Sequence, residues 1–219
     1  MLKISVRWLF AGMLGAAAQA GAAPVHDLVL AAQLDNPTTV KKLLAAGLSV
    51  NTVDPVSGET VLILALREGS NDVIKTLLSR PDIELERTAP NGNTALMMAA
   101  FKRNKVAVEA LLAKGAIVTR PGWTALHFAA ASGDDAITGL LLEHHAYIDA
   151  ESPSKLTPLM IAAREGQEST AILLLQEGAD ATLKNNEGLT ATEIALRAGK
   201  TDIAKALDAH LARHAAGRP

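Results

Sequence analysis

The chain contains no cysteine. That excludes disulfides, thiolate metal sites and a cysteine nucleophile. It also removes the cysteine that a lipoprotein anchor needs after its signal. Aromatic residues make up only 3% of the 219 residues, although 49% are hydrophobic. Apolar burial therefore has to come from Ala, Leu, Ile and Val, which suits thin, closely stacked helices better than a bulky core. Clustered positive charge is lacking too: the net charge is −2, and no basic run is longer than the pair Lys41-Lys42. Nucleic-acid binding runs on grouped cations that release counterions, so no nucleic-acid partner is expected. No H-E-x-x-H, G-x-S-x-G or Walker pattern occurs, and no nucleophile–base pair can be named. The expectation is a protein that is not an enzyme and carries no cofactor.

What is present begins with an address. Lys3 and Arg7 form a short positive region, Trp8 to Ala18 is uncharged and apolar, and Ala18-Gln19-Ala20 is a small-x-small site. This is the layout of a secretory signal peptide over residues 1–20. Cleavage is expected after Ala20 or Ala22, with 21–24 as a short linker. The uncharged stretch from Trp8 to Val25 is 18 residues, near the lower limit for a span. Gly12, Gly15, Gln19, Gly21 and Pro24 weaken it as an anchor, so no stable membrane insertion is expected after cleavage. A short signal without an Arg pair fits a periplasmic location.

The rest of the chain repeats. Thr60, Thr94, Thr124, Thr157 and Thr190 open similar segments at intervals of 34, 30, 33 and 33 residues. Glycine stands two residues before the threonine at Gly58, Gly92, Gly122 and Gly188, where a tight turn needs positive φ. Each threonine hydroxyl can cap the first free N–H groups of a helix, and Pro158 sits at a first helical position. Leu62, Leu96, Leu126 and Leu159 point inward. The pairs Ala99-Ala100, Ala129-Ala130 and Ala162-Ala163 let helices approach closely. Nine residues after the threonine, Gly69, Gly133, Gly166 and Gly199 end the first helix. A second helix carries Leu77-Leu78, Leu111-Leu112, Leu141-Leu142 or Leu174-Leu175, and Gly115 and Gly178 terminate it.

A period near 33 with the stretch Trp123-Thr124-Ala125-Leu126-His127 resembles the ankyrin repeat, and the resemblance covers about residues 25 to 210. It implies an all-α solenoid of stacked helix-turn-helix units joined by short hairpins. The units read as a cap over 25–51, internal repeats at 52–85, 86–118, 119–150 and 151–183, a cap over 184–210, and a tail at 211–219. Residues 25–51 keep Ala31-Ala32, Leu43-Leu44 and Gly47 but lack the Gly-x-Thr opening. In the last unit Thr192 and Asp208 stand where Leu is expected, as suits a cap that faces water. Arg103 and Lys155 replace turn glycines, and His145 replaces a helix-ending one. The 30-residue interval implies a hairpin shortened by three residues at Thr119 to Gly122, and the 34-residue interval one extra residue near Pro81.

The resemblance implies binding to another protein through the hairpin tips and first helices of a concave face, by a chain expected to be monomeric. The positions just before the threonine and seven after it then become candidates: Trp123, Leu156 and Leu189 with Phe101, Arg67, Arg164 and Arg197. Trp and Arg dominate binding hot spots. Alternatively, Trp123 folds down and seals the shortened hairpin. The partner would be a periplasmic enzyme that is protected or regulated, or a toxin that is neutralised. A second reading takes Met97, His127 and Met160, which share one register, as a soft metal ladder in a periplasmic metal-binding or stress-response protein. Against it stand core packing for the methionines and a structural hydrogen bond for His127. His210 and His214, His144-His145, Asp134-Asp135 and Glu143 read as surface residues.

Overall fold

The computed structural model describes residues 23–216, with side chains described to residue 213. The signal peptide, its cleavage sites and the end of the C-terminal tail lie outside the described residues. Twelve helices are found among them and no strand, only an isolated bridge between Val53 and Thr60. The chain divides after Glu84 into two compact units.

The first unit holds α1 (23–33), α2 (Pro37–Ala45), α3 (Val61–Glu68) and α4 (Asn71–Leu78). Helix α3 is apolar almost all round and is buried from Val61 to Leu66. Leu28, Val40, Val73 and Leu77 are fully buried in this unit as well. Each such side chain contributes about 1.5–3 kcal/mol by leaving water. Asp35, at φ 50°, ends α1 where other units use glycine. Its carboxylate accepts from the N–H groups of Asp72 and Val73 at 3.1 and 2.9 Å. It thus caps α4, whose own cap position, Ser70, makes no side-chain capping bond. An anion at a helix N-terminus is favoured by the free N–H groups and the helix dipole.

The second unit holds α5 (Ala95–Phe101), α6 (Lys105–Ala113), α7 (Ala125–Ser132), α8 (Asp135–Glu143), α9 (Pro158–Glu165), α10 (Glu168–Gln176), α11 (Ala191–Arg197) and α12 (Thr201–Ala216). The first helices α5, α7, α9 and α11 pack in sequence, and α6, α8, α10 and α12 form a second layer behind them. The alanine pairs at 99–100, 129–130 and 162–163 are fully buried, so the first helices meet nearly backbone to backbone. Leu111, Leu141 and Leu174 fill the space between the layers.

The left-handed turns fall where the spacing puts them. Gly69, Gly133, Gly166 and Gly199 have positive φ, and so do the substitutes Arg103, His145 and Lys155 at 56°, 63° and 56°. Asp35 was not read from the sequence as one of this set. Thr60, Thr94, Thr157 and Thr190 cap their helices, accepting from Ile63, Met97, Met160 and Glu193 N–H at 3.2–3.4 Å. Thr124 does not follow them: its hydroxyl meets the His127 ring instead.

Three further expectations are corrected. Asp134 and Asp135 are not a solvated face. Asp134 caps α8 through Ile137 N–H at 3.0 Å, and Asp135 accepts from the buried hydroxyl of Thr170. Thr192 is buried, its hydroxyl without a partner among the described residues, while Asp208 is exposed as a cap requires. Helix α12 runs on past residue 210 to Ala216.

Hairpin tips differ in how they close. In the second unit Ala89, Ser152 and Asn185 donate their N–H to the carbonyls of Asn93, Leu156 and Leu189 at 2.9–3.0 Å. The shortened tip at 119–123 has no such bond among the described residues. Thr119 instead uses its hydroxyl, donating to His145 O at 3.3 Å and accepting from Tyr147 N–H at 3.2 Å.

A glycine test follows. A Cβ on Gly133 would stand 2.2 Å from the Gln167 carboxamide oxygen, at φ +71°. Gly133→Ala should therefore lower the thermal midpoint, with a cost of about 1–2 kcal/mol from the left-handed backbone alone. Lys155→Gly removes an equivalent strain at an exposed turn and should raise the midpoint, the stabilisation being up to about 1 kcal/mol. Thermal unfolding followed by circular dichroism reads both.

Candidate protein-binding surface

The shortened tip delivers Trp123 onto the start of α7. Its ring sits edge-on to His127 at a centroid distance of 5.2 Å and tilted against Phe128 at 6.1 Å. Phe128 in turn meets Phe101 of α5 edge-to-face at 6.1 Å. Trp123 remains 38% exposed and Phe101 50%. Four aromatic residues occur beyond residue 22, and Trp123, Phe101 and Phe128 gather here, leaving only Tyr147 elsewhere. They line a cleft of about 370 Å³ with Asn93, Ile161 and Arg164. Trp123 therefore packs one side of its ring on α7 and presents the rest to solvent.

A second cleft of about 490 Å³ is lined by Leu156, Leu189, Ile194, Asn185, Arg164 and Arg197. Arg164, near the end of α9, lines both clefts. The expected residues Phe101, Trp123, Arg164, Leu156, Leu189 and Arg197 thus fall on adjoining clefts of the second unit. Arg67 belongs to the first unit. Phe128, which joins Trp123 to Phe101, was not singled out from the sequence. Its signal is the apolar position four after the threonine, shared with Leu64, Met98, Ile161 and Ile194.

None of the three arginines stands as an open positive grip. Arg67 is held by Glu59 and Glu68, Arg164 by Glu165 at 2.9 Å, and Arg197 by Glu187. These are partly exposed pairs, whose attraction is weakened by solvent. They set side-chain direction and leave the surface close to neutral.

His127 is buried beneath Trp123. Its Nδ1 accepts from the Thr124 hydroxyl at 2.9 Å and the Thr124 N–H at 3.2 Å. Its Nε2–H donates to the carbonyl of Leu156 at 2.9 Å, in the next repeat. This is the structural bond between units expected for it. The ring's pKa is pushed down from 6.5, chiefly by burial, against the opposing pull of the Leu156 and Ala150 carbonyls. Met97 takes the same role in its repeat, its thioether accepting from Thr94 N–H at 3.4 Å. At the last repeat Glu193 does so as a carboxylate, accepting from Thr190 N–H at 2.8 Å and hydroxyl at 3.0 Å. Those bonds hold the Glu193 carboxyl below its ordinary pKa. With both His127 nitrogens engaged and Met97 and Met160 buried, the ladder presents no free lone pair of the imidazole to a metal.

A stack of helix pairs with capped tips and an apolar, half-exposed surface across its first helices defines a repeat-built binding protein. A family model described as "Ankyrin repeats (3 copies)" matches residues 28–121, 71–154, 118–185 and 140–213. The chain belongs to the ankyrin repeat family. It is 40% identical over 114 residues to SH3 and multiple ankyrin repeat domains protein 2 of Homo sapiens, covering 50% of this chain and 6% of that protein. It is 33% identical over 148 residues to Rabankyrin-5 of Homo sapiens, covering 65% of this chain and 12% of the relative. The chain thus spans a small fraction of these relatives' length. Among solved structures it is similar to the ankyrin repeat domain of Bcl-3, with a TM-score of 0.68, 29% identity and 81% of each chain covered. Ankyrin repeats are protein–protein interaction modules and generally not enzymes.

The aromatic cluster separates support from display. Phe128→Ala should cost about 2–3 kcal/mol, because this half-buried ring carries both neighbours. Phe101→Ala, at an exposed helix end, should cost less than about 1 kcal/mol. Chemical denaturation of the two variants measures the difference.

Proposed function

We propose that the chain is a periplasmic binding protein that recognises a partner protein through the clefts of its second unit and protects, regulates or neutralises that partner. The observation that carries this reading is the gathering of Phe101, Trp123 and Phe128 in one half-exposed cleft. In a chain with so few aromatic residues, a core would be expected to claim them. Leu156 and Leu189 extend the apolar surface along the neighbouring repeats. Apolar patches rimmed by charge mark interaction sites, and Arg164 and Arg197 with their glutamates form that rim. Arg67, held in the first unit, is not needed by this reading. The protein acts as a monomer.

The periplasmic part rests on residues 1–20 alone, on their positive start, apolar middle and small-x-small end. No helix among the described residues is long and apolar enough to cross a membrane. The metal-binding alternative is not favoured, since His127 spends both ring nitrogens on the fold.

Affinity capture from periplasmic extract tests the binding reading, with Trp123→Ala beside the unaltered chain. One specific protein should be retained by the unaltered chain. Its affinity should fall roughly thirtyfold in the variant, the ~2 kcal/mol of an interface hot spot. If affinity holds while the thermal midpoint collapses, Trp123 is a plug for the shortened hairpin and the surface reading fails. N-terminal sequencing of the chain recovered from the periplasmic fraction should begin at Gly21 or Ala23. Recovery with Met1 intact would remove the signal-peptide reading.

A further inference from the structure

We propose that His127 is an acid-sensitive latch that holds Trp123 and Leu156 in place on the binding surface, and that protonation of its ring loosens them. The inference rests on the binding reading only in taking these two residues as part of that surface. Its geometry stands by itself. The imidazole lies between the two: it supports the Trp123 ring at 5.2 Å and ties the Leu156 carbonyl at 2.9 Å. Trp123 and Leu156 occupy the same register position, directly before the threonine, in successive repeats. One side chain therefore links the tip of its own repeat to the tip of the next.

The neutral ring is required by its partners. Nδ1 accepts from Thr124 N–H and hydroxyl, so the single ring proton sits on Nε2 and faces Leu156 O. A proton taken from solvent can bind only at Nδ1. The Thr124 hydroxyl can then reverse and accept, but the Thr124 N–H cannot. Two N–H groups would face each other in a buried site, and an unpaired buried donor is costly. The relief is for the tip at 119–123 to lift, carrying Trp123 with it. This tip lacks the closing backbone bond that its neighbours have, which makes it the tip that yields.

The surroundings leave the cation uncompensated. Helix α5 carries no charged residue. Helix α8 brings Asp135, already held by Thr170. Helix α9 brings Arg164 and Glu165 to the rim of the cleft, where they pair with each other. The tips on either side of His127 carry Arg120, Asp149, Glu151 and Lys155. Asp149 accepts from the Asp180 N–H; Glu151 and Lys155 are exposed. Burial lowers the ring's pKa and no charge contributes to the shift. The sign follows: the unfolded or opened ring titrates at its ordinary 6.5 and the closed one lower. The latch is then fully closed above about pH 6.5 and is lost as pH falls through the closed-state value.

Tryptophan fluorescence reads this without any partner. In the full chain carrying Trp8→Phe, Trp123 is the sole tryptophan. Titration from pH 8 to 4.5 should show one sigmoidal change in emission, about twofold in intensity, centred below 6.5, as the neighbouring imidazolium forms and the ring moves. Far-UV circular dichroism should stay constant through that step. The step should vanish in His127→Gln. Ring-nitrogen chemical shifts of His127 in the unaltered chain give a second measurement should the variant not fold. They should pass from the Nε2–H tautomer to the imidazolium over the same range. A fluorescence step that persists in His127→Gln overturns the latch. So does a ring that stays neutral until the whole chain unfolds. Failure of the capture experiment with an intact titration would instead remove the binding reading and leave the latch standing.

Discussion

Everything in this molecule depends on one constraint: a pair of helices only seven to nine residues long cannot bury an apolar face by itself. Helices of that length are marginal in water whatever their propensity. Their stability comes from stacking, and stacking demands that each repeat present the same small residues at the same height. The buried alanine pairs meet that demand in the first helices, and the leucines at 111, 141 and 174 meet it between the layers. The left-handed turns keep the register by reversing the chain at fixed places. Arg103, His145 and Lys155 accept backbone strain there rather than change the geometry.

The same constraint explains where the surface comes from. Stacking fixes the inner positions of each repeat and leaves the tip and the first helix's outer turns free to vary. In the shortened repeat that freedom is used most. Three residues are missing before Thr124, and an aromatic residue stands at the tip. The ring beneath it accepts the N–H of its cap residue Thr124. At Thr94, Thr124 and Thr190 the side chain three residues on returns to the cap's N–H, through a thioether, an imidazole and a carboxylate respectively. These groups make the same bond and differ in response to acid, so repeats that share a scaffold need not share a pH dependence.

Much of the fold was legible in the chain, down to single backbone conformations. Positive φ at Arg103, His145 and Lys155 followed from the spacing of the glycines they replace. Asp35 was missed because its unit lacks the Gly-x-Thr that anchors the count. Thr192 and Asp208 looked alike as polar replacements of leucine, yet one is buried on α11 and the other exposed on α12. Asp134 and Asp135 looked solvated. Their partners, the α8 backbone and Thr170, become visible only when a cap and a residue 35 positions away are brought together.

The sequence by itself determined the repeat, its period, the helix ends, the inward leucines and the residues that the tips display. These are local or periodic properties, and a short chain segment carries them without knowing its neighbours. The tertiary structure alone decided what the displayed residues do to one another. It joined Trp123, Phe128 and Phe101 into one cleft, paired Arg164 and Arg197 with glutamates, and set His127 between two tips. Those outcomes depend on side-chain direction and on distances across repeats, and no spacing in one dimension specifies either.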